Sequence, residues 1–545
     1  MYKIIVNRWL NNNKVSNELK QAILKMPEEE RKRAFDLAPL AFGTAGIRNI
    51  MGPGTQYLNE FTYRQMALGY GLFLKKKYHN QRINIVVTHD NRNHGVLFTN
   101  TVVDALTSLG INVIMYDYNQ LVATPIVSFT IREIGAHGAV IVTASHNPKE
   151  YNGFKVYNST GGQISEEDGA EIVKYMQPAD LILDLEVKPN DSLISFLDES
   201  IFEKYFKAMS QVLINTEPGT IKTEKIIFSG QHGTASKRLP EYLKRLGYAN
   251  IIPVVEQCQY DGNFTYTKSP NPENRVAWDL SLKYADYHKS DVIVQVDPDA
   301  DRFAIAVRHE GEWRFLTGNE MGIIYSFYML KMKKLTKIPF IVSSYVSTNL
   351  IDRIIKKYGG VVYRTGTGFK LIGGKVNEIG ERQDFIVGFE EAIGALNSLI
   401  GRDKDGFQAA ALALEIFYHA KNFHHVDLID FLEKIIYKEF GNIYNATVAF
   451  VFKELNWKEL AKARMDKMLN FKETKIGDRE IKEIKWNDVG GCIDWILDGD
   501  SWLRFRMSGT EPKFKVYYNL YGDSLDGLRK EAEQIQTQLK KILDL

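Results

Sequence analysis

The sequence has only two cysteines, Cys258 and Cys492, among 545 residues. A disulfide scaffold and a Cys-x-x-Cys metal or redox site are therefore excluded. It has no uninterrupted apolar run of about 18 residues, the length that a membrane-spanning helix requires. The opening segment, MYKIIVNRWLNNNK, turns polar early and lacks the apolar core of a signal peptide. Neither sign of charge dominates: 69 Lys and Arg stand against 67 Asp and Glu, a formal net charge of +2. That balance gives no electrostatic reason to expect a nucleic-acid or anionic-membrane partner. Low-complexity tracts and Pro/Ser-rich linkers are also missing. With 44% hydrophobic and 25% charged residues, the chain is not disordered either. At roughly 150 residues per domain, the length predicts three or four domains. The expectation is a cytoplasmic, multidomain enzyme.

Apolar positions at Leu19, Ile23, Leu24, Met26, Ala34 and Phe35 among many charges predict an amphipathic helix or helix pair over 17–35, a surface element preceding the first domain. Beyond it the chain repeats one pattern three times. INIVVTHD (83–90) leads through GVLFTNTVVDALTSLG to INVIMYD. KIIFSG (225–230) leads through ASKRLPEYLKRLGY to IIPVV, and FIVSSY (340–345) through STNLIDRIIKKYGG to VVYRT. Each reads as strand, helix and strand, with Gly110, Gly247 and Gly359 where a helix C-cap wants positive φ. The pattern predicts three copies of one α/β architecture, with a single large doubly wound sheet as the alternative. The last hundred or so residues differ. NATVAFVFKEL, CIDWILDGDSWLRFRM and KFKVYYNLYG read as strands and SLDGLRKEAEQIQTQLKKILDL as a closing helix, a separate α+β module.

Five segments carry candidate chemistry. Thr143-Ala144-Ser145-His146-Asn147-Pro148 follows the apolar strand GAVIV, where ligands gather in α/β sheets. Its serine could serve as a nucleophile or phosphoryl carrier, and a Ser/Thr turn is the plainer alternative. Asp297-Pro298-Asp299-Ala300-Asp301-Arg302 follows DVIVQV, and its alternate carboxylates can converge on one hard cation. An EF-hand is excluded, because Arg302 and Arg308 occupy positions that need Gly and Glu. Gly366-Thr367-Gly368-Phe369-Lys370 cannot be fitted to a Walker loop and reads equally as a strand-to-helix turn. Gly388-Phe389-Glu390-Glu391-Ala392-Ile393-Gly394 offers carboxylates to sugar hydroxyls or to a helix start. Arg506-Met507-Ser508-Gly509-Thr510-Glu511-Pro512-Lys513-Phe514-Lys515 can wrap a phosphate with hydroxyls, backbone N–H groups and cations, or stand as a solvated basic turn.

Together these segments resemble the α-D-phosphohexomutase family, the phosphoglucomutases and phosphomannomutases. Phe42-Gly43-Thr44-Ala45-Gly46-Ile47-Arg48 and Asn152-Gly153-Phe154-Lys155 fit as well, and the forms FGTAGIR and GFEEAIG are closest to the longer phosphoglucomutase/phosphopentomutase branch. The resemblance implies three similar α/β domains with mixed sheets flanked by helices, plus a smaller C-terminal α+β domain, around a central cleft. The expected domains are 1–205, 206–318, 319–440 and 441–545. It implies that Ser145 is carried as phosphoserine and that Asp297, Asp299 and Asp301 hold Mg²⁺ with the phosphoserine oxygen, Arg302 adding positive charge to the same phosphate. His146 and Lys155 are the candidates for moving the hydroxyl proton. Arg48, Thr365, Gly366, Lys370 and Glu390 are expected at the sugar phosphate. Arg506, Ser508, Gly509 and Thr510, with Lys513 or Lys515, are expected to grip the non-reacting phosphate. The implied partner is a small-molecule sugar phosphate, with no nucleic acid and no membrane, and a sugar 1,6-bisphosphate acts as intermediate and activator. The implied reaction interconverts glucose 1-phosphate and glucose 6-phosphate. A phosphomannomutase, a phosphopentomutase and a phosphoserine-based hydrolase are the alternatives. Two departures from the family pattern stand out: Ala392 replaces a common serine, and lysine at 513 and 515 replaces an arginine fork.

Overall fold

The computed structural model describes every residue except 1, 44–45, 80, 118–119, 215–220, 453, 455, 508–512 and 544–545. The chain forms two compact units, Met1–Ala306 with Gly394–Leu412, and Val307–Ile393 with Ala413–Leu545.

In the first unit, β1 (Ile47–Ile50), β2 (Asn84–His89), β3 (Asn112–Met115), β4 (Gly138–Val142), β5 (Tyr151–Asn158) and β6 (Ile194–Phe196) form one mixed sheet. The order is β1-β5-β4-β2-β3-β6. Strands β2, β3 and β4 run parallel, and β5 turns back antiparallel on β4. All five residues of β4 are buried, as its unbroken GAVIV predicts for a strand covered on both faces. The helix Glu60–Lys77 covers the sheet and starts at a capping box in which Asn59 and Thr62 satisfy each other's backbone N–H groups.

A second sheet joins β7 (Lys222–Ser229), β8 (Tyr248–Pro253), β9 (Val292–Val296) and β10 (Phe303–His309) in the order β10-β9-β7-β8. Strand β10 crosses into the second unit and pairs there with β11 (Glu312–Phe315). The second unit holds a third sheet, in which β12 (Pro339–Ser344) lies between β13 (Val361–Thr365) and β14 (Asp384–Glu390), all parallel. The short strand β15 (Gly394–Leu396) opens the segment that returns to the first unit.

The three predicted strand–helix–strand repeats therefore build three separate sheets, not one large doubly wound sheet. Gly110, Gly247 and Gly359 adopt φ of 77°, 92° and 66°. Around Gly110 and Gly359 a Cβ would meet nothing within 4 Å, so the left-handed backbone, and not crowding, is what favours glycine there.

The C-terminal module is an antiparallel sheet of β16 (Asn442–Val451), β17 (Lys475–Ile476), β18 (Arg479–Asn487), β19 (Cys492–Leu497), β20 (Trp502–Met507) and β21 (Lys513–Gly522), ordered β16-β21-β20-β19-β18-β17. The helices Trp457–Leu469 and Leu525–Ile542 pack with it around Trp495, Phe505 and Phe514. The segment read as CIDWILDGDSWLRFRM is two strands, broken where Gly499 and Asp500 take positive φ.

At the N-terminus the expected helix pair is Asn17–Lys25 and Glu28–Ala34, preceded by a third helix, Tyr2–Asn11. It is more than a surface element. Ile23, Ala34 and Phe35 are fully buried, and Trp9 meets Phe35 and Phe61 edge-on in a small core of its own. Among the described residues no helix is long and apolar enough to cross a membrane.

Candidate active site

The hexapeptide 143–148 starts where β4 ends, and Ser145 sits in it with φ of 52°, a left-handed conformation that serine rarely adopts. Several bonds hold it there. Thr143 Oγ1 accepts from the Ser145 N–H at 2.9 Å and donates to Asp90 Oδ2 at 2.6 Å. The guanidinium of Arg92, itself buried, donates to the carbonyls of Pro148 (2.8 Å), Tyr151 (2.9 Å), Ser145 (2.7 Å) and Asn147. Arg48, on β1, donates to Asn147 Oδ1 at 3.4 Å. One side of the loop thus has its backbone polarity satisfied by a single cation.

The second sheet supplies the partner segment. Asp297, Asp299 and Asp301 follow β9 and are all buried, Ala300 taking φ of 56° between them. Each offers a carboxylate oxygen within 4.8 Å of the others. Ser145 Oγ donates to Asp297 Oδ2 at 2.8 Å and lies 3.2 Å from His146 Nδ1. The structure thus brings Ser145, His146 and the three aspartates together, although the serine and Asp297 are 152 positions apart.

Buried carboxylates this close cost free energy unless they are neutralised. Lys155, on β5, lies 3.3 Å from Asp299 Oδ2 and 2.9 Å from Asp301 Oδ2. Lys404, in the segment that returns to this unit, lies 3.2 Å from Asp301 Oδ2. Burial opposes the carboxylate form of Asp301, but these two ammonium groups outweigh it and keep that carboxyl well below the usual range. Asp297 goes the other way, raised by burial and by the charges of Asp299 and Asp301. Burial also lowers His146, with Arg302 and Arg48 adding to the effect, so its imidazole is neutral at neutral pH. Burial pulls on Lys155 too, yet Asp301, Tyr157 and Asp299 hold it charged.

The donor set also fits a divalent cation. Thr124 Oγ1 donates to Asp299 Oδ2 at 3.0 Å, but Asp299 Oδ1 and Asp301 Oδ1 are buried with no hydrogen-bond partner. Orphaned anionic oxygens of this kind are the ligands that Mg²⁺ takes. The charge of Arg302 favours the carboxylate forms of Asp297 and Asp301. Its backbone N–H donates to Asp297 Oδ1 at 2.9 Å, and its guanidinium pairs with Glu273 at 2.8 Å.

In the second unit the remaining expected residues sit at strand ends. Thr365 ends β13 and Gly366 follows it, Lys370 lies in the first turn of the helix Phe369–Ile379, and Glu390 ends β14, so the candidate sugar residues lie at the carboxyl ends of parallel strands. Beside Glu390, Glu391 Oε2 accepts from Ser344 Oγ at 2.9 Å. Arg506 on β20 stands directly across from Lys515 on β21, an adjacency of two cations that suits an anion. Ser508, Gly509 and Thr510 lie outside the described residues.

Sequence reasoning missed Asp90, Arg92, Thr124 and Lys404. Asp90 and Arg92 had a signal, since HDNRN follows β2 at the same sheet edge as the serine loop. Lys404 stands among four consecutive charges, Arg402 to Asp405, and all four are buried. Asp403 there accepts from Tyr157 (2.5 Å) and Gln163 (2.7 Å).

Comparison with known proteins places the chain in a family. Profiles described as phosphoglucomutase/phosphomannomutase alpha/beta/alpha domains I, II and III match residues 39–181, 203–311 and 317–434. A protein named phosphomannomutase from Mycoplasmoides pirum is 58% identical over 541 residues, covering 99% of this chain and 99% of that one. A protein named phosphoglucomutase from Staphylococcus haemolyticus is 30% identical over 514 residues, covering 90% and 92%. Among solved structures, that of a putative phosphomannomutase from Thermus thermophilus shares the fold, with a TM-score of 0.70 at 22% identity and coverage of 93% and 100%. With three successive domain matches and a full-length relative at this identity, the chain belongs to the phosphoglucomutase/phosphomannomutase family, the α-D-phosphohexomutases, and with it to the intramolecular phosphotransferases.

Proposed function

We propose that the protein interconverts glucose 1-phosphate and glucose 6-phosphate, with Ser145 as the phosphoryl carrier. The hydrogen bond from Ser145 Oγ to Asp297, inside a cluster of three buried aspartates, is the observation that carries this reading. Phosphoserine 145 passes its phosphoryl group to the free hydroxyl of the sugar monophosphate, giving a bisphosphorylated sugar. Ser145 Oγ then takes back the other phosphoryl group and the isomeric monophosphate leaves. In that return step His146 Nδ1, beside Oγ, accepts the serine proton, the sugar oxygen that gives up its phosphoryl group takes up a proton to become a hydroxyl, and Lys155 opposes the negative charge.

Asp297, Asp299 and Asp301 would hold Mg²⁺ together with the phosphoserine, and the ion, when bound, supplies Lewis-acid charge stabilisation for phosphoryl transfer. A phosphoserine at about −1.5 to −2 and three aspartates total near −5, which Lys155, Lys404 and a divalent ion bring to roughly −1.

Glu390 is assigned to the sugar hydroxyls and Arg506 with Lys515 to the non-reacting phosphate. Replacing Arg506 with alanine removes a charge-assisted hydrogen bond made alike in ground and transition states. The expected result is a KM raised about 10- to 100-fold with a smaller change in kcat. Steady-state kinetics check it, and an unchanged KM would count against the assignment.

The sugar is tested by comparing kcat/KM on the 1-phosphates of glucose, mannose, ribose and deoxyribose. Glucose leading supports the proposal. A second reading, mannose phosphates as substrates, is favoured by the name of the 58% identical relative and would be upheld if mannose led. A pentose leading, or release of inorganic phosphate without an isomerised sugar, would overturn both.

A further inference from the structure

Ser145 and the aspartates come from different sheets, so whatever registers those sheets also fixes the gap between Oγ and Asp297. Besides the direct ties of Thr124 and Lys155 to the aspartates, a further segment reaches from the second sheet to the first. Residues 259–266, in the long connection after β8, lie against residues 91–93. Asn91 Nδ2 donates to the Asp261 carbonyl at 3.0 Å, and Asn93 Nδ2 to Asn263 Oδ1 at 3.0 Å. A Cβ on Gly262 would stand 2.5 Å from Asn93 Oδ1 and 2.7 Å from Asn93 N, so the two segments touch with no space between them.

At the centre is Phe264, only 4% exposed, with its ring centroid 5.2 Å from the Arg92 guanidinium carbon. Its φ of 52° is one that a bulky side chain avoids, and strain of this kind persists only where the surroundings over-determine it. They do so here. Asp261 accepts from the N–H groups of Asn263 and Thr265, both at 2.8 Å. His232 Nε2 accepts from the Tyr266 N–H at 3.1 Å, and Gln257 Nε2 donates to the Tyr266 carbonyl at 2.8 Å. The outcome is an aromatic face laid over the cation that holds three carbonyls of the serine loop and that of Tyr151 on β5.

We propose that Phe264 is a positioning residue for phosphoryl transfer: its ring fixes Arg92 on the serine loop and so keeps Ser145 Oγ in register with the aspartates. The kinetic half of this rests on the phosphoserine reading above, and the structural half does not.

The test uses full-length Phe264→Leu, Phe264→Asn and Phe264→Tyr. Asparagine tolerates positive φ but has no ring, so it separates backbone strain from stacking. Phe264→Leu and Phe264→Asn are expected to lower kcat by about 10- to 100-fold with KM within about twofold, because misplacing a reacting group by about 1 Å costs on that order. Phe264→Tyr should restore the rate. Hydrogen exchange of amides in 143–149 should quicken about tenfold in the first two variants, while β12–β14 stay unchanged. If Phe264→Leu does not fold, Phe264→Met gives the same readouts.

Unchanged exchange in 143–149, or a rise in KM that tracks the loss of rate, would overturn the proposal. Intact-mass analysis of the wild type separates the two claims. A chain never phosphorylated on Ser145 defeats the phosphoserine reading, and the exchange result alone then decides the role of Phe264.

Discussion

Alanine at Ser145 is expected to remove mutase turnover, by on the order of 10⁴-fold or more, because it deletes the hydroxyl proposed to carry the phosphoryl group. The fold should survive. The side chain contributes two hydrogen-bond contacts, to Asp297 and to His146 Nδ1, each worth about 1 kcal/mol. The loop itself is held through backbone atoms, by the Thr143 hydroxyl and the Arg92 guanidinium, and the substitution leaves both intact. The melting temperature should therefore move by only a few degrees. Rate and melting curve together make the test, and a folded variant turning over near the wild-type rate would refute the carrier role. Site-mapped intact-mass analysis should find one phosphoryl group on Ser145 in the wild type and none in the variant.

Asp299→Asn is the second large effect. The substitution is nearly isosteric and keeps an oxygen to accept from Thr124, so packing changes little. It deletes one of the three negative charges, and with it the carboxylate whose Oδ1 is buried without a partner. Lys155 then faces one anion fewer, and a divalent ion loses an anionic ligand. Activity at fixed Mg²⁺ should fall by about 100-fold or more, and the Mg²⁺ needed for half-maximal rate should rise at least tenfold. Titrating Mg²⁺ in both proteins checks this. A lower rate with an unchanged Mg²⁺ requirement would show that Asp299 is not a ligand.

The parts of this site that could be read from the chain, and the parts that could not, divide along a physical line. Ser145 and the aspartates were legible because each group follows an apolar strand, and a strand's end is a local property. The repeats were legible because Gly110, Gly247 and Gly359 answer a local backbone demand. Lys404 was not. Its importance lies in the aspartate it neutralises about a hundred positions away, and nothing in the neighbouring residues sets it apart from the rest of 69 basic side chains. Strand β18 escaped notice because REIKEIKWN has charged residues at most positions and is largely exposed, with little apolar alternation to mark it.

The grip of Arg92 on four carbonyls has one last consequence. Bonds of that kind resist a swing of the loop, so Ser145, as the proposed phosphoryl donor, is held at one point. If one fixed point must serve both ends of a hexose, the sugar has to reverse itself before the second transfer, and it must do so without being lost to bulk water. Each escape would leave a bare serine behind, unable to begin another round until a doubly phosphorylated sugar from outside recharged it.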